Sequence, residues 1–130
     1  MDVLAAVDGS ENSMRALRFA AEFAARYDAA LHVVHVTDQR TEATERILAS
    51  AEAVLEEADV DSDVELAVVT EMAVPTARAA GKELLDLVAD EGFDHVVVGH
   101  HGAGRVERAI LGSASETVVR GTTVPVTVVP

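Results

Sequence analysis

Residues 95–113 read His95-Val96-Val97-Val98-Gly99-His100-His101-Gly102-Ala103-Gly104-Arg105-Val106-Glu107-Arg108-Ala109-Ile110-Leu111-Gly112-Ser113, and Ala114-Ser115-Glu116 follow. A valine run that stops at glycine is the end of a buried strand. Beyond it, Gly99, Gly102 and Gly112-Ser113 stand at the spacing Gly, two residues, Gly, nine residues, Gly, Ser. Glycine permits close backbone approach, and successive backbone N–H groups in such a turn form a nest for an anion. A helix opening at Ser113 adds unpaired N–H groups and the positive end of its dipole. The expectation is a phosphate-cradling loop between a strand and a helix, a more restrictive pattern than a lone GxGxxG. The sequence Ser113-Ala114-Ser115-Glu116 also spells a capping box, which satisfies a helix start without any ligand.

Outward from this stretch, Val3–Val7, Leu31–Val36, Val64–Val69 and Val124–Val129 are further short apolar runs. With His95–Val98 they predict five strands. Between them, Met14, Leu17, Ala20, Ala21 and Ala24, then Ile47, Leu48, Ala51 and Leu55, then Leu84, Leu85 and Val88 recur at helical spacing. Strands alternating with helices require parallel pairing through right-handed crossovers. The predicted class is therefore α/β, a doubly wound, Rossmann-like five-stranded parallel sheet in the order 3-2-1-4-5 with helices on both faces, in one domain over residues 1–130. Ligands of such sheets bind beyond the carboxyl ends of the strands, where the strand order reverses. That rule selects the loop Asp8-Gly9-Ser10 after the first strand and the loop from Gly99 after the fourth.

The chain of 130 residues carries 23 Asp and Glu against 10 Lys and Arg, a net charge of −13. Nucleic acids and anionic membranes are bound mainly by neutralising phosphates with basic side chains, so neither is an expected partner. So acidic a surface repels itself in dilute buffer, and the Debye length of about 3 Å at ~1 M salt removes that repulsion. A salt-rich, halophilic setting is the expectation. The sequence has no cysteine, which excludes a disulfide framework and suits a reducing compartment. No basic leader precedes Val3, and no apolar run reaches the roughly 20 residues of a membrane span. A cytoplasmic location is expected.

The glycine set, the strand ending in Asp8, the His35-Val36 pair of the second strand and the closing Val124-Pro125-Val126 together resemble the universal stress protein family, in its ATP-binding subclass. The resemblance covers nearly the whole chain. It implies a stress-response module that binds ATP, or AMP or ADP, with Mg²⁺ or Mn²⁺ carried on the nucleotide. It further implies that Asp8 and the backbone at Val36 meet the adenosine end, that Val98 and Gly99 line the site, and that Gly102, Gly112 and Ser113 hold the phosphates, with Ala114 also among the nucleotide-binding residues. Arg105 is a candidate to lend charge there, ahead of Arg108. The family also implies homodimers that pair through the last strand, Val124 to Val129, which is apolar enough to need cover at a sheet edge. The chain departs from the family at Ala73-Val74-Pro75, where Thr76 to Gly81 add residues before Lys82, and an altered loop is expected.

Other chemistries find less support. His32 and His35 are an odd number apart on a strand and face opposite sides, and His100-His101 have no partner at metal-ligand spacing. A metal held by protein alone is not expected, although Asp8 could share a nucleotide-borne cation. No nucleophile elbow, carboxylate pair or Walker sequence occurs, so no catalytic residue is assigned and at most slow ATP hydrolysis is expected. Two alternatives remain. One is a nucleotide-free dimeric interaction module; the other is an adenylating enzyme of the pyrophosphatase-loop type, poorly matched by Asp8-Gly9-Ser10-Glu11-Asn12-Ser13. Phe19 and Phe23, four apart on one helix, read as core.

Overall fold

Strand β1 (Asp2–Ala6) lies at the middle of the sheet, with its central residues Val3, Leu4 and Ala5 each no more than 2 % exposed. The computed structural model to which it belongs describes residues 1–37, 39–60, 64–68, 77–100 and 113–130. Helix α1 (Glu11–Tyr27) follows β1, then β2 (Ala30–Thr37), α2 (Glu42–Glu57), β3 (Val64–Val68), α3 (Ala77–Glu91), β4 (His95–Gly99), α4 (Ser113–Gly121) and β5 (Val126–Val129). The strands run parallel in the order β3-β2-β1-β4-β5, with Val3 opposite Leu31 on one side and His95 on the other.

Alternation along the buried strands sends side chains to two separate cores. Val3, Ala5, Leu31, Val33 and Val97 pack under α1 and α2, where Leu17, Ala20, Ala21, Ala51 and Leu55 close the layer. Leu4, Val34, Val96 and Val98 face the other way, onto Leu84, Val88, Phe93 and Val118 of the α3 and α4 side. The small residues of α1 let its backbone lie close on the sheet. Its start is fixed by Ser10, whose hydroxyl accepts from the Ser13 N–H at 3.1 Å. Its end is fixed by Asp28 in the left-handed region at φ 51, where Asp is tolerated. Thr41 caps α2 reciprocally with Thr44.

Three details differ from the sequence reading. β5 begins at Val126 rather than Val124, because Pro125 has no N–H to add to a ladder; its carbonyl accepts from Val96 instead. Residues 77–81, expected in an altered loop before Lys82, are the opening turns of α3. Phe19 is 40 % exposed and stands outside the core, whereas Phe23 is half-buried and packs against it. The pair stacks with ring centroids 6.2 Å apart and continues to Tyr27 at 4.6 Å. Within α4, Glu116 Oε1 accepts from Arg120 Nε at 2.9 Å, an i,i+4 pair on the helix surface.

Candidate functional site

β1 and β4 lie side by side, while the helices that follow them, α1 and α4, pack on opposite faces of the sheet, the arrangement that leaves a crevice at the strands' carboxyl ends. A cavity opens there. It is lined by Ala6, Val7, Asp8 and Ser13 from the β1 end, Val36 from β2, Ala80 and Leu84 from α3, Val98 and Gly99 from β4, and Ala114 and Ser115 from α4. Of the residues assigned from sequence, Asp8, Val36, Val98, Gly99 and Ala114 therefore meet around one space. Ser113 is the first residue of α4, and Gly102, Arg105 and Gly112 lie outside the described residues.

The cavity wall is mostly aliphatic, with polar groups concentrated where α1 begins. Asp8 is exposed at this rim, and its Oδ1 accepts from the Ser10 N–H at 2.9 Å. The Asp8 N–H in turn donates to Ser13 Oγ at 3.2 Å, and that hydroxyl donates to the Ser10 carbonyl at 3.0 Å. Asp8 thus does the ordinary work of an Asx turn while standing at the cavity mouth. Behind it, the His35 imidazole contacts the Val7 carbonyl through Nδ1 at 2.8 Å, and since a carbonyl only accepts, Nδ1 carries the proton. His32 is engaged elsewhere, with Asp2 Oδ1 at 3.0 Å and Phe93 edge-on. Among the described residues no three His, Cys, Asp or Glu side chains gather to hold a metal.

Sequence reasoning missed Asn12, Ser13, Ser115, Ala80 and Leu84. Asn12 is 2 % exposed and donates from Nδ2 to the Val129 carbonyl at 2.9 Å. Ser115, 6 % exposed, donates from Oγ to the Gly99 carbonyl. A β-carbon on Gly99 would lie 3.1 Å from Asn12 Cγ, 3.2 Å from the Asn12 carbonyl carbon and nearer still to Oδ1. Gly99 is therefore required by the approach of α1, whatever binds beyond it. The one available signal was short polar residues, Asn12 and Ser13 at the start of α1 and Ser115 at the start of α4.

The family model for the universal stress protein family matches residues 1–130. The chain belongs to that family. A universal stress protein of Synechocystis is 33 % identical over 126 residues, which are 95 % of this chain but only 40 % of that relative's length. Among solved structures, the universal stress protein of Archaeoglobus fulgidus in complex with dAMP superposes with a TM-score of 0.76 at 21 % identity, covering 100 % of this chain and 98 % of the other. A universal stress protein in complex with cAMP gives a TM-score of 0.77 at 23 % identity, with coverage of 100 % and 97 %. At such identities the likeness establishes the universal stress protein fold. Among the described residues no helix is long and apolar enough to cross a membrane.

Proposed function

We propose that this universal stress protein binds an adenine nucleotide, ATP above all, and signals through its bound state, with at most slow hydrolysis. The observation that carries this reading is the cavity at the strand-order reversal, where Asp8, Val36, Val98, Gly99 and Ala114 converge from four separate strands and helices and their ends. Its aliphatic wall of Ala6, Val36, Leu84 and Val98 suits the faces of a purine, and the α4 N-terminus suits phosphate. Two solved family members hold dAMP and cAMP, which supports the adenine class. In this reading Asp8 and the Val36 backbone meet the adenosine end, and Gly102, Gly112, Ser113 and Ala114 hold the phosphates, with Arg105 adding charge. Mg²⁺ or Mn²⁺ arrives on the phosphates, since magnesium keeps several waters and takes one or two carboxylates at most. Asp8 is the carboxylate within range of that role.

The same reading makes the protein a cytoplasmic homodimer paired through β5. That strand ends the sheet order, and residues 121–130 carry no charged side chain in a sequence of net charge −13. Two like-charged copies approach there at the least electrostatic cost, and pairing satisfies the edge's backbone groups. The Phe19, Phe23 and Tyr27 ladder flanks this edge, since Phe23 meets His95 at 5.0 Å and His95 bonds Thr127 of β5. Calorimetric titration with ATP and Mg²⁺ at molar KCl, with analysis of nucleotide carried through purification, tests binding. Absence of both heat and co-purified nucleotide would sink it. Gly102→Leu or Gly112→Leu should abolish ATP binding while the dimer persists; retained binding removes the loop assignment.

A further inference from the structure

The exit of β4 at Gly99 and His100 is held from two sides by side chains that do not belong to the glycine pattern. From α4, the buried Ser115 hydroxyl donates to the Gly99 carbonyl. From α1, the buried Asn12 side chain covers Gly99 so closely that no β-carbon fits between them. The next residue is fixed as well: the His100 N–H donates to the Val129 carbonyl at 2.7 Å, and that same carbonyl accepts Asn12 Nδ2 at 2.9 Å. Asn12 thereby ties the start of α1 to the end of β5 at the point where β5 holds His100. Every member of this junction is buried or half-buried, where hydrogen bonds are strong and their loss is costly.

We propose that Asn12 and Ser115 are positioning residues of the nucleotide site, which set where the glycine loop leaves β4 relative to the start of α4. The inference rests on the nucleotide-binding reading above. Neither side chain is asked to touch phosphate. Ser115 sits two residues beyond Ser113, so its bond to Gly99 fixes the distance between the last residue before the loop and the first turn after it. An anion nest works only when its N–H groups converge, and displacement by even 1 Å costs affinity steeply. Asn12 performs the matching task on the opposite side of the strand end.

The test compares wild type with Ser115→Ala, Ser115→Thr and Asn12→Ala by calorimetric titration with Mg²⁺ and ATP at molar KCl, well below each melting temperature. Hydrogen exchange of the His100 amide is followed in parallel. Ser115→Ala and Asn12→Ala are expected to weaken ATP binding by roughly tenfold, Ser115→Thr to restore most of it, and Asn12→Ala to speed exchange at His100. Lower melting temperatures with unchanged ATP affinity in the folded variants overturn the inference and leave both residues purely structural. Should Asn12→Ala fail to fold, the Ser115 pair decides. Wild-type protein that binds no adenine nucleotide overturns the underlying reading instead, an outcome seen before any variant is made.

Discussion

Asn12 and Gly99 are in such close contact that the first turn of α1 rests directly on the end of β4, with an added β-carbon 3.1 Å from Asn12 Cγ and 3.2 Å from its carbonyl carbon. Gly99→Ala should therefore cost about 1–3 kcal/mol through overpacking, read from chemical denaturation. Asn12→Ala removes the obstructing amide and one buried hydrogen bond, a loss of about 1 kcal/mol. The double variant should lose clearly less than the sum, because the residues share one space. Strict additivity would show that the clash is absorbed elsewhere.

A second close approach joins the two helices that wall the cavity. A β-carbon on Gly81 of α3 would lie 2.7 Å from Thr117 Cβ and 2.9 Å from the Ala114 carbonyl oxygen of α4. Replacing glycine inside a helix normally gains about 1 kcal/mol. Here a backbone oxygen is in the way, and no rotamer change can move it. Gly81→Ala should therefore destabilise, and since Ala114 lines the cavity, ATP affinity should fall with it. A stabilised Gly81→Ala variant would mean that α4 moves freely against α3.

The pH response centres on His95. Burial between Phe23 and β5 holds its imidazole below the ordinary histidine value, so the folded state resists protonation. The unfolded chain then binds more protons, and stability is full above the unfolded value of about 6.5 and declines as pH falls through it toward the lower folded value. Melting curves between pH 7.5 and pH 5 should show this loss, and His95→Gln, which keeps a partner for Thr127 Oγ1, should flatten the slope. An equal slope in the variant would assign the effect to other groups.

Salt acts on the whole surface. With a net charge of −13, screening of self-repulsion should raise the melting temperature between low and molar KCl. A gain of about 1 kcal/mol corresponds to about 4 °C for a chain of this size. An unchanged or lower melting temperature in KCl would argue against adaptation to a salt-rich cell.

Much of the architecture was legible because it rests on local repeats. The continuous apolar runs Val3–Ala5 and Val96–Val98, buried on both faces, and the 3.6 spacing of Met14, Leu17, Ala21 and Ala24 report what is buried without knowledge of what buries it. The boundaries were less legible. Whether 77–81 turn or coil depends on α4 being present to pack on Gly81, and Phe19 shares a buried helix spacing with Phe23 while lying exposed itself. At the site, the choice of the chain ends at Asp8 and Gly99 followed from the reversal of strand order, a consequence of crossover handedness, while Val36, Val98 and Ala114 were named by the family resemblance.

The sequence by itself determined the alternation of strands and helices, the two strand ends at Asp8 and Gly99 between which a site is expected, the acidity and the resemblance to a nucleotide-binding signature. Only the tertiary structure decided why Gly99 must be glycine, that Asn12 and Ser115 hold it from two sides, and that Ala80 and Leu84 complete the cavity wall. These depend on contacts such as Asn12 to Val129, at opposite ends of the chain. Periodicity records that a side chain is buried; it carries no record of which distant backbone atom is waiting there.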